Sequence, residues 1–421
     1  MPKLAFSRLS NIALRGATLA SKFLLVFFLA RFLTAGELGL YGLLTATIAY
    51  ALYLVGLDFY IYITREILKV ENRRFGELLK NQAAMTFVLY VMIFPLLSLI
   101  FLENLLPWQM AIWFFSLLIL EHINQELGRL LIALSQQHAA SLNLFLRGGS
   151  WPLVAIALMM SYPGLQNLKT VLFLWVIGDA LAVALSILKL RSLGIHGWHE
   201  RIDWRWIFQG VKVAIPFLLA TLAIRGIYTI DRYWLKALSN LEIVGAYVLF
   251  MGLSSALVSF LDAGVFSFLY PELIKSYNEN NPIRFRLLAR NLLIQTLIFS
   301  CVMALLATLL IDPALSLIGK PIYSNNSNLF YWALASVLLY SFGMIPHYWL
   351  YAQGKDRPII ISHLLGCAVF LLSTWMLSSI YSYMAVPISL CITFLSILII
   401  KALACHSLTP PHYNPLNLSK N

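Results

Sequence analysis

The sequence predicts an all-α polytopic membrane protein, with about twelve transmembrane helices in two six-helix bundles related by a parallel pseudo-two-fold repeat. Three observations carry that prediction. Hydrophobic residues make up 60% of the 421 and the mean hydropathy is +0.80, against an apolar share of roughly 45–50% in soluble domains. Twelve apolar segments have the length of a bilayer crossing, about 20 residues. A short motif in the first half returns in the second at an offset of about 206 residues.

The segments fall near 11–33, 39–64, 82–102, 110–134, 142–161 and 170–188, then 210–234, 243–268, 288–310, 328–351, 358–379 and 383–404. Only a few residues separate the last two, a tight hairpin. The tenth carries Pro346 and His347. Pro95, Pro152, Pro216, Pro346 and Pro387 lie inside segments, where proline kinks helices and supplies hinges.

Charge sets the direction. Of 30 Lys and Arg, 19 sit in segments 1–10, 65–80, 135–141, 189–209, 270–290, 352–357 and 401–421, and three (Lys169, Lys236, Lys320) in the intervening loops. Cytoplasmic loops carry the excess of Lys and Arg, so both termini are expected inside. Between the sixth and seventh segments runs Gly197-Trp198-His199-Glu200-Arg201-Ile202-Asp203-Trp204-Arg205-Trp206. Three tryptophans among charges suit a linker lying at the membrane interface. The expected organisation is an N-terminal bundle 1–190, a cytoplasmic interfacial linker 191–209, a C-terminal bundle 210–404 and a disordered cytoplasmic tail 405–421.

Composition also excludes classes. The net charge of +12 follows the positive-inside pattern and implies no nucleic acid. Cys301, Cys367, Cys391 and Cys405 lie in apolar stretches without metal-ligand spacing, so neither a disulfide framework nor a metal is expected, and no cofactor. The first apolar stretch carries Lys22 and runs on to Arg31 without a small-residue cleavage pattern, unlike a signal peptide. Gly319-Lys320 lacks an upstream Gly and is followed by Pro321, so it is no phosphate loop.

The repeat pairs Glu37-Leu-Gly39-Leu-Tyr41, opening the second segment, with Glu242-Ile-Val-Gly245-Ala-Tyr247, opening the eighth. Asp58 and Asp262 follow at similar spacing, and Glu66 and Glu272 close the two segments. Six crossings per half make both halves enter from the same side, a parallel repeat.

Charges within the segments mark candidate functional residues, because each costs roughly 2.5–3.5 kcal/mol near the bilayer centre and normally faces a bundle interior or a wet cavity. A transporter with a charged lumen is the simplest reading. Arg15 and Lys22 are seven residues apart on nearly one helical face. Arg31 falls nearly opposite, where a snorkelling residue and a lumenal one both fit. Arg225 and Arg232 are again seven apart, with Asp231 as local counter-charge. Glu121 is central in the fourth segment, near Gln125, Glu126 and Arg129; Asp179 is central in the sixth. A carboxylate that can hold a proton inside the membrane is what proton coupling requires. An interhelical ion pair, for instance with Lys22 or Arg147, is the competing and simpler explanation for each of Glu121, Asp179, Asp58, Asp231 and Asp262, and Glu121 and Asp179 are the acids to test for coupling. Tyr50, Tyr53, Trp332, Tyr340, Tyr348 and Trp349 suit either sugar stacking or interface belts.

The run Leu29-Ala-Arg31-Phe-Leu-Thr-Ala-Gly36-Glu37-Leu-Gly39-Leu-Tyr41, continuing to Gly56-Leu-Asp58 and Arg65-Glu66, resembles the N-terminal signature of Wzx-type polysaccharide flippases. Pro216, Asp231-Arg232 and Glu242-Ile-Val-Gly245-Ala-Tyr247 look like that family's seventh and eighth spans. The family shares a superfamily with multidrug and toxin extruders and with lipid II flippases, whose extra helical pair is absent here. The resemblance implies two six-helix bundles working by alternating access in a bacterial inner membrane. It also implies an undecaprenyl-pyrophosphate-linked oligosaccharide as substrate, membrane lipids as surroundings and a polysaccharide polymerase as a cooperating partner.

Moving such a substrate breaks no bond. A diphosphate must cross an apolar layer, and fixed cations offset its lost hydration. Lys22 and Arg225, on repeat-equivalent segments, would form a diphosphate clamp, with Arg15, Arg31, Arg147 and Arg232 as further cations. A membrane polymerase or ligase is the rival enzyme reading, disfavoured because no outward stretch is long and no Ser, His and acid gather at one depth. A cation-coupled multidrug exporter of the same superfamily is the closer rival, against which the cationic spans weigh.

Overall fold

The computed structural model describes residues 2–67 and 75–414, with side chains from Ser10 onward save that of Phe217. Within them every long element is helical: α1 Pro2–Phe32, α2 Ala35–Gly56, α3 Tyr60–Ile67, α4 Phe75–Leu102, α5 Ala111–Ala133, α6 Gln137–Phe145, α7 Trp151–Ser161 and α8 Leu168–Ser192. Then follow α9 Trp204–Leu238, α10 Leu241–Leu261, α11 Ser267–Asn278, α12 Pro282–Ile318, α13 Pro321–Asn325, α14 Asn328–Ala352, α15 Asp356–Tyr381 and α16 Ala385–Leu408. In a bilayer, backbone groups must be satisfied within the segment, which favours helices.

Among the described residues, nine helical stretches are long and apolar enough to cross a membrane, and ten if the bent α9 is one span. The last of them, Asp356–Leu408, folds back as the hairpin α15–α16. α5 has spanning length but is diluted by Glu121, His122, Asn124, Gln125 and Glu126. Twelve helical rods result among the described residues, in the expected order, with α2–α3, α6–α7 and α10–α11 each forming one interrupted rod. α9 bends by 51° beside Pro216, as a proline that removes a ladder hydrogen bond requires.

The chain divides into two compact units, Met1–Arg225 and Gly226–Asn421. The expected linker 191–209 is therefore held by the first unit. Phe59, Tyr62, Phe75, Leu78 and Ile207 share one buried cluster. Trp206 lies 5.6 Å from the Phe59 ring and 5.0 Å from that of Tyr62. Gly76 N donates to His196 O at 2.7 Å, and Asp203 N donates to Asn81 Oδ1 at 3.0 Å. Gly210 abuts the same two rings so closely that a methyl there would stand 2.4 Å from Phe59.

The repeat is realised locally in each unit. Thr34 and Glu37 cap α2 reciprocally, at 3.0 and 3.2 Å, and Asn240 caps α10 through the amides of Glu242 and Ile243. Such caps satisfy the orphan donors of a helix start. Both motif tyrosines, Tyr41 and Tyr247, are buried. Asp58 and Asp262 mark the two interruptions: Leu57 and Asp58 turn left-handed, while Asp262 opens a wide π-turn ending at Phe266. α4 and α12, third in each unit, both present exposed apolar side chains, among them Phe87, Val91, Leu96, Ile298, Leu305 and Leu309.

One expectation fails. The tail is ordered through residue 414: Cys405–Leu408 complete α16, and Pro411–Tyr413 form a further turn. Buried Tyr413 packs 4.9 Å from the Tyr277 ring and 5.3 Å from Phe285, and Thr409 accepts from Gln353 Nε2 at 3.0 Å. Burial of that aromatic ring offsets the entropy of ordering the segment. Residues 415–421 lie outside the described residues.

Candidate functional site

The N-terminal unit brings Lys22 of α1, Glu121 of α5, Arg147 and Asp179 of α8 together. The local cause is Leu146-Arg147-Gly148-Gly149-Ser150, a π-turn between α6 and α7. Such wide turns recur at functional sites. Two glycines let α1 approach: a methyl on Gly148 would stand 2.9 Å from Lys22 Cε, and one on Gly149 3.0 Å from Thr18 Cα.

Arg147 Nε lies 3.4 Å from Glu121 Oε2, and Trp175 Nε1 donates to Glu121 Oε1 at 3.0 Å. Trp175 stacks on Trp151, centroids 5.6 Å apart, and Trp151 Nε1 donates to Arg147 O at 2.9 Å. Glu121 and Arg147 are thus fixed by an indole pair. Asp179 differs. It is fully buried, yet neither carboxylate oxygen has a hydrogen-bond partner among the described residues. Lys22, Arg147 and Glu121 all act on it electrostatically. Lys22 is surrounded by protein, but its side chain remains accessible, as befits a cation that a polar ligand can reach.

Beside this group runs a buried amide ladder. Asn143 Nδ2 donates to Asn124 Oδ1 at 3.0 Å and to Ser186 Oγ at 2.9 Å, while Asn124 Nδ2 donates to Asp179 O at 3.0 Å. A second network joins Glu126 to Arg129 at 2.7 Å and to Gln82 at 2.6 Å, with the Arg129 guanidinium 3.6 Å above the Tyr60 ring.

The remaining candidates are dispersed. Arg15 Nε reaches Ser141 Oγ at 3.5 Å. Arg31 is exposed beside Phe32. Arg225 stands 5.4 Å over the Tyr53 ring and acts on the buried Asp58. In the C-terminal unit Asp231 accepts from Tyr247 OH at 2.6 Å and from Arg232 N at 2.6 Å, and Arg232 donates to Tyr228 O. Both Asp231 oxygens are thereby satisfied, while Arg232 Nε is buried without a hydrogen-bond partner among the described residues. Asp262 is exposed at its π-turn.

Three groups escape the sequence reading. Trp151 and Trp175 sit in apolar runs where the pattern does not distinguish packing from positioning. Lys401, wholly within α16, is buried and contacts His347 Nδ1 at 3.3 Å and His363 Nε2 at 3.2 Å. The Gly pair after Arg147, in mid-segment, was the one available signal for the π-turn.

Helical rods in two units, nine or ten stretches of them among the described residues long and apolar enough to cross a membrane, define the class: a multi-pass α-helical membrane protein. An inward-facing multidrug resistance MATE family transporter of the MOP superfamily matches 94% of the chain and 97% of its own length, with TM-score 0.75 at 11% identity. A MATE in the bent conformation matches 96% and 95%, with TM-score 0.58 at 14%, and an outward-facing MATE family transporter of the MOP superfamily 96% and 96%, with TM-score 0.54 at 16%. At those identities the likeness is one of fold. The family model described as "Polysaccharide biosynthesis protein" matches residues 9–277, and the chain belongs to that family. No curated protein matches the sequence.

Proposed function

We propose that the protein is a flippase carrying undecaprenyl-diphosphate-linked oligosaccharide from the cytoplasmic to the periplasmic leaflet of a bacterial inner membrane, by alternating access, for O-antigen or capsule assembly. The observation that carries this reading is the cation pair at the π-turn, Lys22 and Arg147, in a chain of the polysaccharide biosynthesis family. A diphosphate sheds much of its hydration on entering such a site, and charge-assisted hydrogen bonds replace it. Lys22 offers a mobile point charge and Arg147 a planar fork. At rest Glu121, itself held by Trp175, occupies Arg147; an arriving diphosphate competes for it. Arg15, seven residues before Lys22 on α1, extends the cationic surface, with both termini cytoplasmic, and no covalent step is needed. A polymerase would act on the delivered repeat unit.

A second reading is favoured by one observation, the buried carboxylate of Asp179 without a hydrogen-bond partner. A cation-coupled multidrug exporter would use it for a proton or metal cation, and the likeness of fold to MATE transporters agrees.

The two readings separate in proteoliposomes. Labelled undecaprenyl-diphosphate oligosaccharide should flip with the intact protein, fall about tenfold or more with Lys22→Ala or Arg147→Ala, and recover partly with Lys22→Arg; one lost charge-assisted hydrogen bond of ~1.5–3 kcal/mol sets that scale. Flipping that survives both alanine variants overturns the cationic site. Gradient-driven export of organic cations, with no flipping of any lipid-linked glycan, overturns the flippase.

A further inference from the structure

A second site lies away from the π-turn, within the N-terminal unit. α4, α5 and α8, with linker residues Gly194–Trp198, enclose a groove of about 790 Å³, inside the range of ~300–1,000 Å³ for small-ligand sites. Its walls are apolar: Leu79, Phe87, Leu127, Leu130, Ile187 and Leu190. The polar floor is largely committed to internal partners. Gln82 and Arg129 donate to Glu126, and Tyr90 OH pairs with His122 Nδ1 at 2.8 Å.

At the end nearest the linker the lining changes to Arg191, His196 and Trp198, all exposed. Lys80 adds charge there, its Nζ anchored on Trp198 O at 3.3 Å and Glu200 O at 2.9 Å. The flanks point to the bilayer: Phe87 is 68% exposed, Val91 60% and Leu188 59%. Such side chains on membrane helices are covered by lipid tails. Tryptophan and basic residues mark headgroup depth.

We propose that this groove binds one anionic phospholipid, an acyl chain lying against Phe87, Leu127 and Leu190 and the phosphate resting at Arg191 and His196. An amphiphile matches both ends at once. Free phosphate gains nothing from the apolar trough, and a cationic amphiphile meets Arg191 and Lys80. Basic pockets between membrane helices take anionic headgroups in this manner. The site shares no residue with the Lys22–Arg147 turn and stands whichever substrate that turn serves.

Native mass spectrometry of the full chain, released from detergent with dioleoyl phosphatidylglycerol or dioleoyl phosphatidylcholine, tests it. One phosphatidylglycerol should be retained about fivefold more than phosphatidylcholine, the scale of one basic residue at headgroup level. Arg191→Ala with His196→Ala should bring that ratio to about one. Ala83→Trp, which projects a ring into the groove from an exposed position, should abolish retention; Thr86→Trp serves if the first variant is not monodisperse. Retention unchanged by a monodisperse tryptophan variant, equal retention of the two lipids, preference surviving loss of Arg191 and His196, or displacement by inorganic phosphate alone would each overturn the proposal.

Discussion

Gly178→Ala and Gly148→Ala add the same methyl to the same unit and should have different consequences. At Gly178 the new Cβ would meet Trp151 Cδ1 at 2.7 Å, Trp151 Cβ at 2.9 Å and Leu146 O at 3.0 Å. The last two are fixed by backbone, so no rotamer change relieves them, and α8 must back away from the π-turn. Overpacking of that kind costs ~1–3 kcal/mol, of which better helix propensity returns ~0.8–1.0. The net loss is then up to about 2 kcal/mol, which changes the folded-to-unfolded ratio by up to roughly 30-fold. At Gly148 the close neighbours are Lys22 Cε at 2.9 Å and Nζ at 3.3 Å, with Thr18 Cγ2 at 3.6 Å. A lysine tip swings aside for about 0.5–1.5 kcal/mol at most, which the propensity gain offsets. Reversible unfolding in mixed detergent micelles, followed by tryptophan fluorescence, should therefore show a lower midpoint for Gly178→Ala and one near wild type for Gly148→Ala. Glycan flipping by Gly148→Ala should still fall, because Lys22 has been displaced. Equal destabilisation by both substitutions, or none by Gly178→Ala, would refute the packing argument.

Further outcomes follow from the same contacts. Trp175→Phe keeps the ring stack but deletes the donor to Glu121, a hydrogen bond to a charged group worth ~1.5–3 kcal/mol; a midpoint within error of wild type would show that Glu121 does not depend on it. Tyr247→Phe leaves one oxygen of the fully buried Asp231 without its 2.6 Å partner, costing about 1–3 kcal/mol. In an Asp231→Asn background the same change should cost less, and equal costs in a double-mutant cycle would deny the coupling. Asp179→Asn removes a buried charge with no hydrogen bond and should hold or raise the unfolding midpoint while lowering transport; a drop in midpoint would instead make Asp179 a structural ion-pair member.

What was legible in the sequence follows from which signals are local. Hydropathy is a property of composition, so all twelve rods were readable, and α5 remained readable by length despite its polar middle. The Glu37 and Glu242 motifs were readable because helix caps act within three residues. The division of the units was not, because the rings of Phe59 and Tyr62 meet Trp206 across more than a hundred residues of chain. Lys401 was assigned to an inward tail by the charge rule, yet α16 continues to Leu408 and faces Lys401 toward His347 and His363 on two other helices. Which face of a helix meets which neighbour is a tertiary fact. The Arg147-Gly148-Gly149 run was visible, but a mid-helix glycine pair reads equally as a packing groove, and only the position of Lys22 against it reveals the turn.

Three of the buried charge groups differ in how completely they are closed. Asp231 has donors on both oxygens, and Lys401 sits between two imidazoles. Near the π-turn, Arg147 and Glu121 are paired, whereas Lys22 and Asp179 act on each other without a direct bond. A buried charge lacking hydrogen bonds costs several kcal/mol, which a direct Lys22–Asp179 pair would offset. A structural role would favour that closure. The open arrangement instead leaves the cation accessible and the carboxylate enclosed. On the proposed flippase reading, an anion drawn to Lys22 and Arg147 would release Glu121, and a proton or cation would then offset the two acids. Substrate and coupling ion would thus bind in the same turn, each lowering the electrostatic cost of the other.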